Sequence, residues 1–224
     1  MKHHVIITAG GSGTRFQSEL PKQFLLLNGL PVLMHTVKKF SGISGEIIVA
    51  LPENHISTWK KLCSVYEFDI PHTISAGGET RFHSVKNALE KISDNESLAA
   101  VHDGVRPAVS KELIQKIFDA AEKNGNAVSF LPLSESIRKT DESGNNFYAD
   151  RKNFISIQTP ECFRIQSLRK AYAQKFSDSF TDDAAAVEAA TGEKIFLVEG
   201  EKQNIKITEM EDLIFAELLM SAQD

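Results

Sequence analysis

A glycine-rich loop near the start of the chain carries the residue types that bind polyphosphates. Residues 9–15 read Ala-Gly-Gly-Ser-Gly-Thr-Arg, directly after the apolar run 5–9, and Lys22 follows. Glycines let backbone N–H groups approach an anion closely, while Arg15 and Lys22 bring positive charge to the same loop. Phe16 stands where a dinucleotide fingerprint needs its third glycine, and the sequence has no Gly-Lys-Ser/Thr of a Walker loop. The loop therefore predicts phosphate binding of another kind.

A second glycine turn leads into a helical pattern. Residues 77–84 read Gly-Gly-Glu-Thr-Arg-Phe-His-Ser. A helix N-terminus presents free N–H donors and favours anions, so Gly78, Arg81 and Ser84 are candidates for contacts to a nucleotide. Ordinary capping of the helix explains the same residues, and the sequence alone leaves both interpretations open.

Polar residues also accompany two strand-like runs. Asp103 and Arg106 come after the run 98–102, and Lys206 lies in the short run 205–207. Ligands of α/β enzymes bind beyond the carboxyl ends of parallel strands, so Asp103 is a candidate ligand for a metal or a hydroxyl group. Arg106 and Lys206 are candidates for phosphate, and carboxylates near such loops fit a Mg²⁺–polyphosphate ligand. The competing interpretation is a plain Asp-Gly turn and a solvated surface lysine.

Apolar runs of strand length alternate with amphipathic helical patterns along most of the chain. Strands are predicted at residues 5–9, 46–51, 70–75, 98–102, 127–131, 195–198 and 205–207, and helices at 31–40, 55–66, 80–92, 110–124 and 208–219. Ser110 is a predicted N-cap, Gly125 a predicted stop, and residues 208–211 a predicted capping box. This alternation predicts an α/β fold, with a Rossmann-like, mostly parallel central sheet that has helices on both faces.

Residues 132–153 interrupt that alternation. They are polar, and a turn at 142–146 separates two short segments, which predicts a protruding β-arm. A connection of this length without its own core either packs on another chain or forms a lid. We expect a single domain over residues 1–224, with the arm inside it. The residue types alone indicate no role for the Asp150-Arg151 pair in the arm or for residues 181–184.

The composition excludes several classes of protein. The 224 residues are 42% hydrophobic and 25% charged, near the averages of globular proteins, which excludes a disordered chain. A net charge of −5 argues against a general binder of nucleic acids or membrane surfaces. No stretch approaches the roughly 20 apolar residues of a membrane-spanning helix. Cys63 and Cys162 lack a zinc or CxxC pattern, so we expect a cytoplasmic protein with reduced thiols.

Taken together, these motifs resemble the 2-C-methyl-D-erythritol 4-phosphate cytidylyltransferases of the non-mevalonate isoprenoid pathway. The similarity is collinear from residue 9 to residue 208 and covers AGGSGTR, PKQ, GGETRFHS, HDGVRP, the Asp-Arg pair that ends the arm, QTPE, TDDA and NIKIT. It implies a nucleotidyltransferase that moves CMP from CTP to methylerythritol phosphate and releases pyrophosphate, with Mg²⁺ as the cofactor. It also implies a homodimer in which the arms are exchanged between the subunits.

The resemblance implies roles for individual residues. Arg15, Lys22 and Lys206 match the catalytic cations, with Lys206 facing the α-phosphate. The nucleotide would contact Ala9, Gly10, Gly11, Gly13, Gly78, Arg81, Ser84, Asp103 and Gly104, and the acceptor would contact Asp103, Arg106, Ser136 and Arg151. Asp103 is also the position expected near the metal.

Three positions depart from the family pattern. Thr8, Gly104 and Ser136 stand where proline, alanine and threonine are usual. The hydroxyl of Ser136 is retained, and Gly104 would let a ligand approach the backbone more closely. Thr159 and Thr181 match family positions for which we specify no role.

Three alternatives stand beside this interpretation. A ribitol 5-phosphate cytidylyltransferase shares AGG, PKQ, the HD-x-VRP pattern and NIK, but the Asp150-Arg151 pair, Arg81 with Ser84, and TDDA favour the erythritol acceptor. An NAD-binding oxidoreductase needs a third loop glycine, and Phe16 occupies that position. A non-catalytic nucleotide sensor would bind CTP without turnover, and the cations at both ends of the predicted phosphate site argue against it.

Overall fold

The computed structural model describes residues 1–11 and 20–221. The strands are β1 (His3–Thr8), β2 (Leu26–Leu27), β3 (Leu30–Pro31), β4 (Glu46–Leu51), β5 (Thr73–Ala76), β6 (Leu98–Asp103), β7 (Asn126–Pro132), β8 (Ile137–Thr140), β9 (Asn146–Ala149), β10 (Ile155–Arg164) and β11 (Leu197–Glu199). The helices are α1 (Val32–Phe40), α2 (Glu53–Val65), α3 (Arg81–Leu89), α4 (Lys111–Asn124), α5 (Ile165–Ala173), α6 (Asp183–Thr191) and α7 (Met210–Ser221), with 3-10 turns at Lys22–Phe24 and Arg151–Asn153. Within these residues, no helix is long and apolar enough to span a membrane.

A seven-stranded sheet forms the centre, in the strand order β11-β7-β10-β6-β1-β4-β5. β1 runs parallel to β4 and β6, β4 to β5, and β11 to β7. β10 is antiparallel to both of its neighbours, so it alone reverses direction within the described sheet. The predicted mostly parallel α/β sheet is confirmed. In the register of β1 with β6, Thr8 lies beside Asp103, so both strands end at the same edge.

Helices cover both faces of this sheet, because successive strand residues point to opposite sides. On one face, Val5 and Ile7 of β1 pack in a cluster with side chains of α1, α2 and α4. On the other face, Ile6 packs with α3, α5 and α6. Since the central strands are buried on both sides, they read in the sequence as continuous apolar runs rather than alternating patterns.

Local helix signals are mostly confirmed. The Ser110 hydroxyl accepts a hydrogen bond at 2.9 Å from the backbone N–H three residues on, as an N-cap does. Gly125 has φ +91°, the left-handed conformation that ends α4. The prediction of a capping box at α7 is wrong about which acidic side chain pairs with Thr208. Because the helix begins at Met210, the acceptor for the N–H and hydroxyl groups of Thr208 is Asp212, at 2.7 Å, and not Glu211.

The strands differ from the prediction at residues 205–207 and at β10, and the short strands β2 and β3 and the helices α5 and α6 were not predicted. Residues 205–207 join no ladder of the described sheet, and the Ile207 N–H makes a single 2.9 Å hydrogen bond to the carbonyl of Val105. β10 was not predicted, because Pro160 and Glu161 interrupt its apolar pattern. The pairing of β10 with β7 shifts register at this point, which lets the strand continue past the proline.

The predicted β-arm is a hairpin outside the central sheet. β8 pairs antiparallel with β9. In the turn, the Asp141 carboxylate accepts hydrogen bonds from the N–H groups two and four residues on, and Gly144 adopts φ +80°. Phe147 and Tyr148 are 52% and 80% exposed, so this arm presents aromatic side chains to solvent in the single chain.

Candidate active site

Two neighbouring clefts lie where the central strands end. The first cleft is lined by nine of the predicted site residues, namely Ala9, Gly10, Gly11, Lys22, Gly78, Arg81, Ser84, Asp103 and Lys206. The second cleft is lined by Arg81, Asp103, Arg106 and Lys206 together with residues of β10 and of the segment before α6. Because Arg81, Asp103 and Lys206 line both clefts, they stand between them.

Asp103 is the centre of an ion cluster between the clefts. Its Oδ2 atom lies 3.0 Å from Lys206 Nζ and 3.2 Å from Arg106 Nε, and its Oδ1 atom lies 3.5 Å from Arg81 Nε. Burial alone would disfavour the carboxylate, but Arg81, Lys206 and Arg106 lower the pKa of Asp103 below its ordinary range. The carboxylate is therefore ionised at neutral pH, and three cations converge on it.

His102 and Thr159 fix the backbone of Asp103 from behind. Thr159 Oγ1 accepts a hydrogen bond from the Asp103 N–H at 3.0 Å and lies 3.1 Å from His102 Nδ1. His102 Nε2 lies 3.2 Å from the carbonyl oxygen of Arg106, which can only accept. Nε2 therefore carries the proton, and Nδ1 accepts from the Thr159 hydroxyl. Burial lowers the pKa of His102 to about 4, so the neutral ring persists at neutral pH.

Because His102 is buried in its neutral form, we expect the protein to lose stability in acid. The pKa of His102 is about 4 in the folded protein against an ordinary 6.5, so the unfolded chain takes up the proton first. The neutral His102 side chain contributes its full stabilisation above about pH 6.5, and this contribution is lost as the pH falls towards 4. By about pH 4.5 the free energy of unfolding should be lower by about 2–3 kcal/mol. Urea unfolding at pH 7 and at pH 4.5 measures this difference in the free energy of unfolding. His102→Gln should be less stable at pH 7 and show a smaller acid loss, and an equal loss in both proteins would contradict this role.

Ser84 holds the glycine turn that precedes α3. Its Oγ donates to the Thr80 carbonyl and accepts from the Gly78 N–H, both at 3.0 Å. A Cβ placed on Gly10 would lie 3.7 Å from the same Oγ, so the loops after β1 and β5 meet at this hydroxyl. The Ser84 hydroxyl thus shapes the wall of the first cleft.

Gly78 cannot carry a side chain in this turn. A Cβ there would lie 2.4 Å from His83 Cβ and 2.9 Å from the His83 carbonyl carbon. Gly78→Ala should therefore shift the turn, cost about 1–3 kcal/mol of stability and weaken the nucleotide binding that the sequence predicts for this turn. Urea unfolding and calorimetric CTP titration measure both effects. Gly45→Ala is the control, because its Cβ would meet nothing closer than 3.4 Å, and similar losses in both variants would refute the explanation.

Lys22 connects the N-terminal loop with the segment that carries Lys206. Its Nζ donates to the Ile207 carbonyl at 2.9 Å, and its Cε would lie 3.7 Å from a Cβ on Gly11. The neighbouring Gln23 side chain donates to the Ala9 carbonyl at 2.9 Å, which holds the end of β1 in place. Gly13 and Arg15, the other predicted residues of this loop, lie outside the described residues.

Three predicted site residues line neither of the two clefts as described. A Cβ on Gly104 would lie 2.9 Å from Leu33 Cδ1 and 3.0 Å from the carbonyl oxygen of Thr8. The missing side chain therefore faces the core, which favours a packing role over close approach of a ligand. Ser136 and Arg151 are exposed at the two ends of the arm. In the single chain, neither residue lines a cleft together with Asp103.

Sequence reasoning missed much of the second cleft. Its further lining residues include Gln158, Thr159 and Glu161 of β10 and Thr181 and Asp182 before α6. The Gln158 amide donates to the carbonyls of Glu201 and Asn204 at 3.0 and 3.2 Å, so β10 supports the segment that leads to Lys206. The QTPE and TDDA motifs were the available signals, but their polar residues read equally well as a turn and a helix cap.

The described side chains do not form a metal cage. No group of three or more His, Cys, Asp or Glu side chains in residues 1–11 and 20–221 is placed to hold an ion. Asp103, the predicted metal contact, already engages both of its oxygens with cations. The donor set therefore does not fit direct coordination of Mg²⁺ by the protein in this arrangement.

Known proteins of one family are similar to this chain along nearly its whole length. The family model of 2-C-methyl-D-erythritol 4-phosphate cytidylyltransferase matches residues 3–222. Proteins of that name from Porphyromonas gingivalis and Phocaeicola vulgatus are each 44% identical, over 221 residues (99% of both chains) and 222 residues (98% of this chain and 100% of the other).

Solved structures of the same kind have the same fold. The enzyme from Thermus thermophilus is 32% identical with a TM-score of 0.80, and the alignment covers 99% of this chain and 100% of the other. The 4-diphosphocytidyl-2C-methyl-D-erythritol synthase from Anaerococcus prevotii is 29% identical with a TM-score of 0.83, covering 98% and 96%. The chain therefore belongs to the family of 2-C-methyl-D-erythritol 4-phosphate cytidylyltransferases.

Proposed function

We propose that this chain transfers a cytidylyl group from CTP to 2-C-methyl-D-erythritol 4-phosphate and releases pyrophosphate. The observation that carries the proposal is the pair of clefts that share Arg81, Asp103 and Lys206. A transfer between two phosphate groups needs two anion sites that meet at common cations. Membership of the cytidylyltransferase family supports the choice of nucleotide and acceptor.

The first cleft takes the nucleotide in this proposal. The triphosphate lies against the loop after β1, with Arg15 and Lys22 as its cations. The residues assigned to the nucleotide are Ala9, Gly10, Gly11, Gly13, Gly78, Arg81, Ser84, Asp103 and Gly104. The described members other than Gly104 line one continuous cleft, which supports the assignment.

The second cleft takes the acceptor. Its phosphate binds Arg106 and the cations around Asp103, while Lys206 meets the α-phosphate of CTP between the clefts. The cleft is lined by three cations, Arg81, Arg106 and Lys206, and by the carboxylates of Asp103, which pairs with all three, and of Asp182, which caps α6. Burial and the nearby Asp183 carboxylate raise the pKa of Glu161, another lining residue, which limits its negative charge. The N–H donors of Arg81 and Arg106 that these carboxylates do not use can bind the phosphate of the acceptor.

The chemistry needs no protein nucleophile. A phosphate monoester is largely dianionic at neutral pH, so its oxygen attacks the α-phosphorus of CTP directly. A new P–O bond forms on the side of the α-phosphorus opposite its bond to pyrophosphate. That bond breaks, and pyrophosphate leaves with the electron pair. Lys206, Arg81 and Lys22 hold the two anions together and neutralise charge that develops in the transition state.

Mg²⁺ is assigned to the phosphates of CTP. When bound there, it would neutralise charge on the leaving pyrophosphate. Asp103, the metal contact predicted from the sequence, is not assigned to Mg²⁺, because its oxygens are held by Lys206, Arg106 and Arg81. In this proposal Asp103 therefore acts by placing those three cations.

A homodimer formed through the arm is the second part of the proposal. Arg151 and Ser136 are exposed, and the arm presents Phe147 and Tyr148 to solvent. An exchanged arm would bring Arg151 and Ser136 to the acceptor site of the other subunit. Sedimentation equilibrium should give twice the chain mass at micromolar concentration, and a monomer would remove the support for exchange.

Pyrophosphate release tests the proposed reaction. CTP and Mg²⁺ are offered with methylerythritol 4-phosphate and, in parallel, with ribitol 5-phosphate. Release with the erythritol acceptor alone is expected. Release with ribitol phosphate alone would keep the chemistry and overturn the acceptor, whereas no release from folded protein that binds CTP would overturn cytidylyl transfer to both.

A further inference from the structure

A buried Asp–Tyr pair lies directly behind Arg81. Asp183, the first residue of α6, is 0% exposed, and Tyr172, near the end of α5, is 3% exposed. Asp183 Oδ2 accepts a hydrogen bond from Arg81 Nη2 at 2.7 Å, and the Tyr172 hydroxyl donates to Oδ1 of the same carboxylate. Neither Asp183 nor Tyr172 lines the first or the second cleft as described. The pair therefore reaches the two clefts through the hydrogen bond to Arg81, beside its electrostatic effect on Glu161.

The surroundings make this polar pair unusual. The helices α3, α5 and α6, which carry Arg81, Tyr172 and Asp183, otherwise meet through an apolar cluster. An ionised carboxylate in such a place needs charged or hydrogen-bonded partners. The charge of Arg81 is supported in return: burial disfavours it, but Asp183 and Asp103 raise the pKa of Arg81 above its ordinary value.

The start of α6 holds the Asp183 carboxylate in place. Glu161 of β10 accepts a hydrogen bond from the Ala184 N–H at 2.9 Å, and Asp182 caps the helix by accepting from the Ala185 N–H at 2.7 Å. The first turn of α6 is thus fixed to the central sheet and by its own cap. Asp183 is a rigid support rather than a mobile counter-ion.

We propose that Asp183, itself held by Tyr172, is a positioning residue that fixes the Arg81 guanidinium between the nucleotide and acceptor sites. The inference rests on the proposed cytidylyl transfer. Asp183 binds Nη2, and Asp103 lies 3.5 Å from Nε, so two carboxylates hold the guanidinium at different nitrogens. A guanidinium has five N–H donors, which leaves others for phosphate oxygens. Without this support Arg81 keeps its charge but loses the orientation that electrostatic catalysis requires.

Tyr172→Phe is the first test, because it removes one hydroxyl and keeps the ring. It should lower kcat about fivefold, the effect of one lost hydrogen bond, and leave both KM values within about twofold. In an Arg81→Met background the same substitution should change kcat less than about twofold, because Tyr172 acts through Arg81. Ser167→Ala, on the same helix, removes a hydrogen bond to Glu193 and should leave kcat unchanged.

A second readout does not depend on turnover. In the ¹⁵N spectrum of the wild-type protein, the Nη protons of Arg81 should give separate signals, because contact with Asp183 slows rotation of the guanidinium. In Tyr172→Phe and Asp183→Asn the rotation should be faster and the signals should merge. An equal kcat loss with and without Arg81, or unchanged rotation in both variants, would overturn the positioning role. An inactive wild-type protein with restricted Arg81 rotation would instead refute the proposed transfer alone.

Discussion

Replacing Lys206 with methionine should lower kcat/KM for cytidylyl transfer by about 10²–10³-fold, the usual effect of losing one charged stabiliser of a transition state. Lys206 lines both clefts, and its Nζ lies 3.0 Å from Asp103 Oδ2. Its ammonium therefore lies between the two clefts that we propose for the nucleotide and the acceptor. Methionine keeps much of the side-chain volume and removes only the charge. Steady-state kinetics with each substrate varied in turn measures the effect.

Lys202 supplies the matched control for this prediction. It lies in the same segment, is exposed, and lines neither cleft as described. Lys202→Met should keep kcat/KM within about twofold, as expected for an exposed charge without partners. If Lys206→Met were as active as Lys202→Met, the cations between the clefts would not stabilise the reaction.

Asp103→Ala should destabilise the fold by about 3–5 kcal/mol, the cost of removing one partner from a buried ion cluster. Without the carboxylate, Arg106 loses an ion pair at 3.2 Å and the three cations are left to repel one another. The wild-type contribution depends on pH in a defined direction. Because the cations lower the pKa of Asp103, its stabilisation is present above the ordinary carboxyl pKa and is lost as the pH falls below it.

Urea unfolding at neutral pH measures the stability that Asp103→Ala loses. Asp103→Asn should cost less than Asp103→Ala, since an amide oxygen still accepts a hydrogen bond, and it provides a second measurement if the alanine variant does not fold. Asp119→Ala is the control, because its carboxylate lies on the exposed face of α4, and it should change stability by less than about 0.5 kcal/mol. A loss below about 1 kcal/mol in both Asp103 variants would show that the cluster is not held as described.

The alternation of strands and helices was readable from the sequence, whereas β10 was not. β1, β4 and β6 are buried on both faces, so their apolar runs stand out without reference to the rest of the fold. β10 contains Pro160 and the buried Glu161, residue types that argue against a central strand. They are accommodated because the register shifts there and Glu161 accepts hydrogen bonds from the start of α6. That partner is supplied by tertiary structure and leaves no local signal.

The residues of the candidate site also divide into those that the sequence indicates and those that only tertiary structure reveals. Residues at or just after strand ends, such as Asp103 and Gly78, could be found because ligands bind beyond the carboxyl ends of parallel strands. Asp183 could not be assigned, because its partner Arg81 lies 102 positions earlier in the chain. Near the helix start, an acidic residue reads as a cap, and Asp182 does cap α6. Only the tertiary contact between Arg81 and Asp183 distinguishes the two neighbouring carboxylates.

Attack of the acceptor's phosphate oxygen on the α-phosphorus of CTP is the central claim, and an isotope label tests it most directly. The acceptor, methylerythritol 4-phosphate, is prepared with ¹⁸O in its phosphate group and incubated with CTP, Mg²⁺ and the protein. If the acceptor oxygen attacks the α-phosphorus, all of the ¹⁸O should remain in the cytidylylated product and the pyrophosphate should be unlabelled, as mass spectrometry of both species will show. Labelled pyrophosphate, or cleavage of CTP without a cytidylylated product, would contradict the account.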